Sequence, residues 1–316
     1  MSKGTLYTPG AEAVAVKGRF AAYRWLILRR VSQVGILVLF MVGPVLLWLK
    51  GAGGRPAEVF WPVKGTLASS LTLDVLPLTD PFMVLQSLAA GHVMTKTAFI
   101  GAAIVLAFYL LVGGRTYCSW VCPVNIVTDA AHWLRQKLGL KGGIQLARRT
   151  RYWVMAMALI VSAATGVLAW ELVNPITIFQ RVLTFGVGLG WLVILGIFLY
   201  DTFASKRGWC SHLCPVGAFY ALVNRFGLVK VSAAKRSACT NCMDCFAVCP
   251  EPHVITPALR GADRGLGPVI LSADCTNCGR CADVCAPAVF EFATRFANQS
   301  EAKPGEHASS QVPKAA

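Results

Sequence analysis

Twelve cysteines occur in this chain of 316 residues, and eight of them lie within residues 239–285, where one spacing occurs twice. Each copy has the form C-x2-C-x2-C-x3-C, and Pro250 directly follows the first copy. Three closely spaced thiolates, joined by a fourth from the other copy, are the ligands that hold a 4Fe-4S cube. The sequence therefore predicts two clusters, the first held by Cys239, Cys242, Cys245 and Cys285 and the second by Cys249, Cys275, Cys278 and Cys281.

Two other uses of these eight cysteines fit the spacing less well. Structural zinc pairs its C-x2-4-C units across a longer gap than the gaps within either copy. Disulfides require an oxidising compartment, whereas cluster thiolates require one that keeps cysteine reduced. We therefore expect residues 206–296 to contain a small α+β domain of the bacterial two-cluster ferredoxin type.

The rest of the chain is too apolar for an ordinary soluble domain. The sequence is 55% hydrophobic with a mean hydropathy of +0.57, which is typical of membrane proteins. A transmembrane helix needs about 20 mostly apolar residues, and a soluble bundle of buried helices is the alternative for runs of this length. We predict an α-helical membrane domain over residues 31–205, with four transmembrane helices at about 31–49, 93–113, 153–170 and 183–203.

Lysine and arginine residues are distributed unevenly among the connections between these runs. Six lie in the basic N-terminal segment, residues 1–30, and seven in residues 114–151, but one in residues 171–181. The positive-inside rule then places both termini of a multi-pass protein in the cytoplasm, here of a bacterial inner membrane. The net charge of +15 is thus a topology signal, and no nucleic-acid partner is expected. The polar tail, residues 297–316, is predicted to be disordered.

The remaining four cysteines form a second repeat, which we call the elbows. The first elbow is Cys118-x3-Cys122-Pro123 and the second is Cys210-x3-Cys214-Pro215, each just after a predicted span. A cysteine before a helix N-terminus has its thiolate favoured by the backbone N–H groups. The four cysteines are candidates for a redox relay or a further metal site, and small structural residues at a tight turn are the alternative.

The chain resembles the NapH family, the membrane ferredoxin-type quinol dehydrogenase subunits of periplasmic nitrate reductase systems. The match lies in residues 24–30, 76–82, 85–89 and 245–253, in both elbows and in the order of four spans and then two clusters. The resemblance implies electron transfer from the membrane quinol pool towards a periplasmic nitrate reductase. It also implies two partners, a periplasmic ferredoxin-like protein and a multihaem cytochrome. The second run departs from the family by ending Cys285-Ala286-Pro287, which leaves the ligands intact.

Quinol oxidation also requires groups that accept protons. Ionisable residues near span ends are candidates, and we select Asp80, His92 and Glu171, all expected on the periplasmic side, opposite the elbows. Solvated or interface-anchoring roles are the alternative for each. A different function also remains open, in which a membrane ferredoxin serves maturation or redox sensing of another respiratory or copper enzyme.

Overall fold

A computed structural model describes residues 8–49, 61–140, 142–144, 146–186 and 188–297. The chain begins with a short helix, α1 (Ala11–Lys17), and a helix of 31 residues, α2 (Arg19–Leu49). At 1.5 Å per residue, α2 is about 46 Å long. It starts twelve residues before the predicted span at 31–49, so no helix boundary falls at residue 30. The predicted disordered tail, from residue 298 onward, lies outside the described residues.

A small antiparallel sheet follows where the sequence predicts only a connection between spans. Its strands are β1 (Val63–Gly65), β2 (Ser69–Thr72) and β3 (Leu76–Thr79), paired in the order β1-β2-β3. Helix α3 (Pro81–Ala89) comes next, with Pro81 in its first turn and Asp80 as its N-cap, accepting a hydrogen bond from the Phe82 N–H.

Three of the predicted spans are shorter or interrupted in the structure. The second is α4 (Lys96–Val112), which packs against β3, and the first elbow then forms α5 (Thr116–Trp120) and α6 (Val124–Lys137). The third span is α7 (Thr150–Thr165). Among the residues that the structure describes, α2 is the one helix that is long and apolar enough to cross a membrane by length and composition.

The fourth predicted span, 183–203, is wrong as a single helix. After α8 (Ala169–Val173), the chain forms α9 (Pro175–Phe185), breaks, and resumes as α10 (Gly190–Leu199), which continues into a π-helical turn at Tyr200–Ala204. The break has a local cause, because Gly186 and Gly188 adopt φ values of 64° and 92°. Positive φ values end a right-handed helix, and glycine adopts them without steric cost.

The C-terminal part contains the cysteine runs. The second elbow forms a π-helical turn (Trp209–Leu213) and α11 (Pro215–Asn224). Strands β4 (Val229–Ser232) and β5 (Glu291–Thr294) pair antiparallel. Three short helices lie between them in the sequence: α12 (Asp244–Val248), α13 (Ile255–Arg260) and α14 (Arg280–Val284). Their apolar side chains share one core with the cysteines, including Val231, Ile255 and Val289.

The start of α2 is held against this C-terminal part. The backbone N–H groups of Trp25 and Leu26 donate to the Asp283 carboxylate at 3.0 and 3.1 Å, and the Trp25 ring lies 4.7 Å from that of Phe292. The described part of the basic N-terminal segment, from residue 8 onward, is therefore packed onto the cysteine-rich domain and joins that domain to the long apolar helix.

Candidate functional site

The first cavity in the cysteine-rich domain is surrounded by the first predicted ligand set. Cys239, Cys242, Cys245 and Cys285 all line it, together with the apolar side chains of Phe246, Leu259 and Phe290. Of the four cysteines, Cys242 is exposed to solvent and Cys239 is partly buried. The structure thus places this cavity close to the surface of the domain.

The second cavity is surrounded by the second predicted set and lies deeper. Cys275, Cys278 and Cys281 are buried, and Cys249 from the first run completes the lining. The structure therefore brings each predicted group of four together, with one cysteine exchanged between the runs. Each loop curls around its cavity through two residues with left-handed backbone, Asn241 and Met243 in the first run and Asn277 and Gly279 in the second.

The chemistry of these cavities fits an iron–sulfur cube. Burial raises the pKa of Cys245 to about 12, and the neighbouring Cys285 adds to the rise because two thiolates repel each other. The positive charge of bound iron would stabilise the thiolates at this buried site. Across the described residues, no three His, Cys, Asp or Glu side chains converge to hold a single metal ion. A cube has no such requirement, because each of its thiolates binds a different iron atom.

The elbow cysteines are neighbours of one another. Burial raises the pKa of Cys122, and the nearby Cys118 and Cys214 raise it further. Burial also raises the pKa of Cys214 to about 12, with Cys118 as the next cause, although a hydrogen bond from the Gly217 N–H at 3.4 Å acts against it. Removal from water thus outweighs the expected stabilisation of the thiolate at the helix start.

A third cavity separates the elbows from the second cluster cavity. Three of its lining residues, Pro250, Glu251 and Thr276, also line the second cavity, and none of them lines the first. On the elbow side it is lined by Cys118 and Cys210 and by three basic side chains, Arg29, Arg115 and Arg207. The guanidinium groups supply positive charge where anionic thiolates or a cluster would lie.

Direct hydrogen bonds join the first elbow to the loop of the second cluster cavity. Ser119 Oγ donates to the Thr276 carbonyl at 2.7 Å, and Trp120 Nε1 donates to the Asn277 carbonyl at 3.1 Å. Arg115 donates to the Asp274 carbonyl at 2.7 Å. The second cavity is therefore the one held against the elbows, and the first is the one nearer to solvent.

Asp80 lies in the interior of the structure. Its carboxylate accepts a hydrogen bond from the Tyr220 hydroxyl at 3.1 Å, and burial raises its pKa to about 6. Tyr220 lies on α11 only six residues beyond Cys214, about 9 Å along the helix axis. The expectation that Asp80 lies on the face opposite the elbows is therefore wrong, because β3 and α3 fold inward against α4.

The other two proposed proton acceptors are placed differently. Glu171 is near Asp80, whose pKa its charge raises further, and it accepts a hydrogen bond from Asn174 Nδ2 at 3.0 Å. His92 is exposed, and its Nε2 lies 2.8 Å from the Gly166 carbonyl. The charge of Glu171 thus acts on Asp80, whereas His92 lies at the surface.

Sequence reasoning missed a cluster of three tyrosines beside Asp80. Tyr117 stacks on Tyr220 with ring centroids 4.7 Å apart, and Tyr109 contacts both rings at 5.9 and 5.1 Å. The elbow repeat carries part of this signal, because an aromatic residue precedes the first cysteine in each copy, Tyr117 and Trp209. Nothing in the local sequence relates these residues to Asp80.

Comparison with known protein families agrees with both groups of cysteines. The family described as "4Fe-4S dicluster domain" matches residues 238–289, and the family described as "4Fe-4S binding domain" matches residues 95–141 and 187–233, which contain the two elbows. No solved structure matches the chain.

Curated relatives cover almost the whole chain. The methylamine utilization ferredoxin-type protein MauN of Methylorubrum extorquens is 53% identical over 90% of this chain and 94% of its own length. The ferredoxin-type protein NapH of Escherichia coli is 43% identical over 92% of this chain and 96% of its own length. This chain belongs to the NapH and MauN family of ferredoxin-type proteins. It is thus a ferredoxin-type 4Fe-4S electron-transfer protein, and the predicted resemblance to NapH is confirmed.

Proposed function

We propose that the protein is a membrane-bound electron-transfer subunit that oxidises quinol and passes the electrons through two 4Fe-4S clusters. The observation that carries this proposal is that the first elbow contacts both the Asp80 region and the loop of the second cluster cavity. Tyr117 faces the buried Asp80 region, while Ser119 and Trp120 bind the loop of the second cluster cavity. Few residues therefore separate a buried proton acceptor from a predicted cluster.

The stoichiometry of quinol oxidation suits two clusters. A quinol loses two electrons and two protons when it becomes a quinone, and each bound 4Fe-4S cluster supplies a one-electron acceptor. Asp80 is the proposed proton acceptor, with the charge of Glu171 acting on it, whereas the exposed His92 lies at the surface and hydrogen-bonds to the Gly166 carbonyl. In this proposal the Cys249 set accepts the electrons first, because its cavity adjoins the elbows, and the set with the exposed Cys242 accepts them next.

We further propose four membrane passages in a bacterial inner membrane, with both termini in the cytoplasm. Helix α2 is long enough for the first, and α4 and α7 supply 17 and 16 helical residues for the second and third. The fourth is then formed by the apolar segment Gly190–Ala204, which is shorter than predicted. The inward-folded sheet and α3 lie between the first two passages.

The elbows are proposed to hold a further metal site or a redox relay between quinol and the second cluster. Support comes from the four neighbouring thiols, the three arginines around the third cavity and the match of both elbows to a 4Fe-4S binding family. Iron and sulfide analysis of the anaerobically purified protein tests it. Two cubes require about eight iron atoms and a third about twelve, so eight would exclude a cluster at the elbows.

Two metabolic roles are candidates for the protein. The predicted acceptor is a periplasmic nitrate reductase, reached through a periplasmic ferredoxin-like protein and a multihaem cytochrome. The higher identity with proteins named for methylamine utilization, 53% against 43%, favours a role in that metabolism instead. Deletion of the gene, followed by anaerobic growth on nitrate and aerobic growth on methylamine, distinguishes the two, because only one growth mode should depend on the gene.

Cluster reduction by quinol is the test of the main proposal. Membranes containing the full-length protein, without its partners, are mixed anaerobically with ubiquinol or menaquinol analogues and followed by EPR. Reduction of both clusters supports the proposal. Clusters that dithionite reduces but quinol does not would instead support a maturation or redox-sensing protein.

A further inference from the structure

A large apolar cavity lies between α2, the three-stranded sheet and α4. Its volume is about 480 Å³, within the usual range for small-molecule sites. Ile36, Leu39 and Phe40 of α2 form one wall, and Ile104 and Phe108 of α4 form the opposite wall. Leu39 and Phe108 are 47% and 53% exposed, so the cavity opens sideways between two proposed membrane helices.

One end of this cavity is closed by polar groups. Asp80 and the tyrosines Tyr109, Tyr117 and Tyr220 all line it, and the Tyr220 hydroxyl holds the Asp80 carboxylate at 3.1 Å. The cavity thus combines an apolar channel that opens towards the lipid with aromatic rings and a hydrogen-bond acceptor at its inner end. That combination matches an amphiphile with a long apolar tail and a flat hydroxylated ring.

We propose that this cavity is the quinol site, with the ring beside the tyrosines and Asp80 and the isoprenoid tail leaving between α2 and α4. This inference rests on the proposed function and adds a location and the residues that bind the ring. A phospholipid fits the inner end poorly, because its phosphate would face the carboxylate of Asp80. A quinol hydroxyl, by contrast, donates a hydrogen bond to that carboxylate.

The first chemical step at this site is a proton transfer. One quinol O–H bond breaks, the proton binds a carboxylate oxygen of Asp80, and the quinol monoanion remains. Oxidation of the monoanion to quinone then releases two electrons, which the two iron–sulfur clusters would accept when bound, and the remaining hydroxyl proton goes to water. Asp80 afterwards returns its own proton to water, so that two protons and two electrons leave for each quinol.

The position of the cavity shortens the path from the ring to the elbows. Tyr117 and Val121 both line the cavity, and each directly precedes an elbow cysteine, Cys118 or Cys122. The electrons therefore need not cross the width of a bilayer to reach the second cluster cavity. They start beside the elbows.

Anaerobic protein in lipid nanodiscs, depleted of endogenous quinone, allows a test with a short-chain ubiquinone as the probe. Binding is measured by titration calorimetry, and cluster reduction by the corresponding quinol is measured by EPR. Ile104→Trp fills the cavity and is expected to weaken binding by at least about tenfold, because an indole ring would occupy the site. Leu111→Trp is the matched control, since Leu111 lies on α4, is exposed and does not line the cavity.

A second variant separates binding from proton transfer. Asp80→Asn is expected to retain quinone binding within a few-fold but to slow quinol-driven cluster reduction by about 100-fold, the usual contribution of a general base. The dithionite-reduced EPR spectrum must stay native in every variant used. If Ile104→Trp fails that check, Leu39→Trp fills the cavity from α2 instead.

The outcomes distinguish this inference from the proposed function. Loss of binding in the cavity-filling variant but not in Leu111→Trp supports the site. Native-like binding in both variants overturns it, even if quinol still reduces the clusters. If quinol reduces no cluster in the native protein but the cavity-filling variant alone loses quinone binding, the site stands and the proposed direction of electron flow fails.

Discussion

The ferredoxin runs and the elbows each gather four cysteines, but in different surroundings. In the runs, the four thiols of each group line one cavity with largely apolar walls, and left-handed residues bend the loops around it. At the elbows, Cys118 and Cys210 lie in short helical turns and alone among the four cysteines line the third cavity, which three arginines face. The runs are thus complete ligand sets, whereas the elbows form a charged junction between those sets and the buried tyrosines.

The largest expected effect comes from breaking one ligand set at a time. Cys278→Ser removes a ligand of the cluster nearest the elbows, so quinol should no longer reduce the remaining cluster at a measurable rate. Cys242→Ser removes a ligand of the cluster near the surface and should leave quinol reduction of the inner cluster intact. EPR spectra of both variants, recorded after addition of quinol and after addition of dithionite, show which cluster quinol still reduces in each variant. If quinol reduced the remaining cluster equally in the two variants, the proposed order of electron transfer between the clusters would be contradicted.

Changing the elbows is expected to have the next largest effect. The double substitution of Cys118 and Cys210 by alanine should slow quinol-driven cluster reduction by at least about tenfold, because the junction loses both thiols that face the third cavity. The EPR signals after dithionite should persist, since neither residue lines a ferredoxin cavity. Iron content that falls together with the rate identifies a metal site, and unchanged iron content identifies a thiol relay.

A smaller effect is expected from substituting the arginines that form ion pairs at the junction. Arg115 is fully buried and pairs with Glu251, so Arg115→Gln leaves a buried carboxylate without this partner and should lower the free energy of unfolding by about 3 kcal/mol. Arg148→Gln is the matched control, because Arg148 pairs with the same carboxylate from a side chain that is 42% exposed. Its expected cost is about 0.5 kcal/mol. Thermal unfolding in nanodiscs compares the two, and equal losses would contradict the central role of Arg115.

The smallest expected effect is the dependence of quinol oxidation on pH. Burial raises the pKa of Asp80 to about 6, and the titratable groups facing it are Tyr109, Tyr117, Tyr220 and Glu171. The carboxylate accepts a proton only when it is ionised, so the rate should be constant above the pKa and fall as pH decreases through it. At one unit below the pKa the fall should reach about tenfold. The same profile in Asp80→Asn would show that another group is responsible.

The sequence predicts the ferredoxin ligands because their information is local. A cysteine spacing of two or three residues sets both the loop geometry and the exchange of Cys249 and Cys285 between the groups. The elbow repeat is similarly visible, and the family match covers both copies. In each case the chemistry depends on residues that are close in sequence.

Features that depend on distant contacts could not be predicted. Asp80 meets Tyr220 across 140 residues, so its burial and its place beside the elbows follow only from the inward fold of the sheet. The break in the fourth predicted span depends on two glycines that hydropathy counts as neutral. The start of α2 at Arg19 depends on its docking to Asp283, because a basic segment gives no hydrophobic signal.

The most direct measurement is freeze-quench EPR of the native protein in quinone-depleted membranes after anaerobic addition of quinol. The two clusters are assigned beforehand with Cys278→Ser and Cys242→Ser. The expected result is reduction of the cluster held by Cys249, Cys275, Cys278 and Cys281 first, and of the surface cluster afterwards. Reduction of the surface cluster first, or of neither cluster by quinol while dithionite reduces both, would contradict a path from quinol through the elbows.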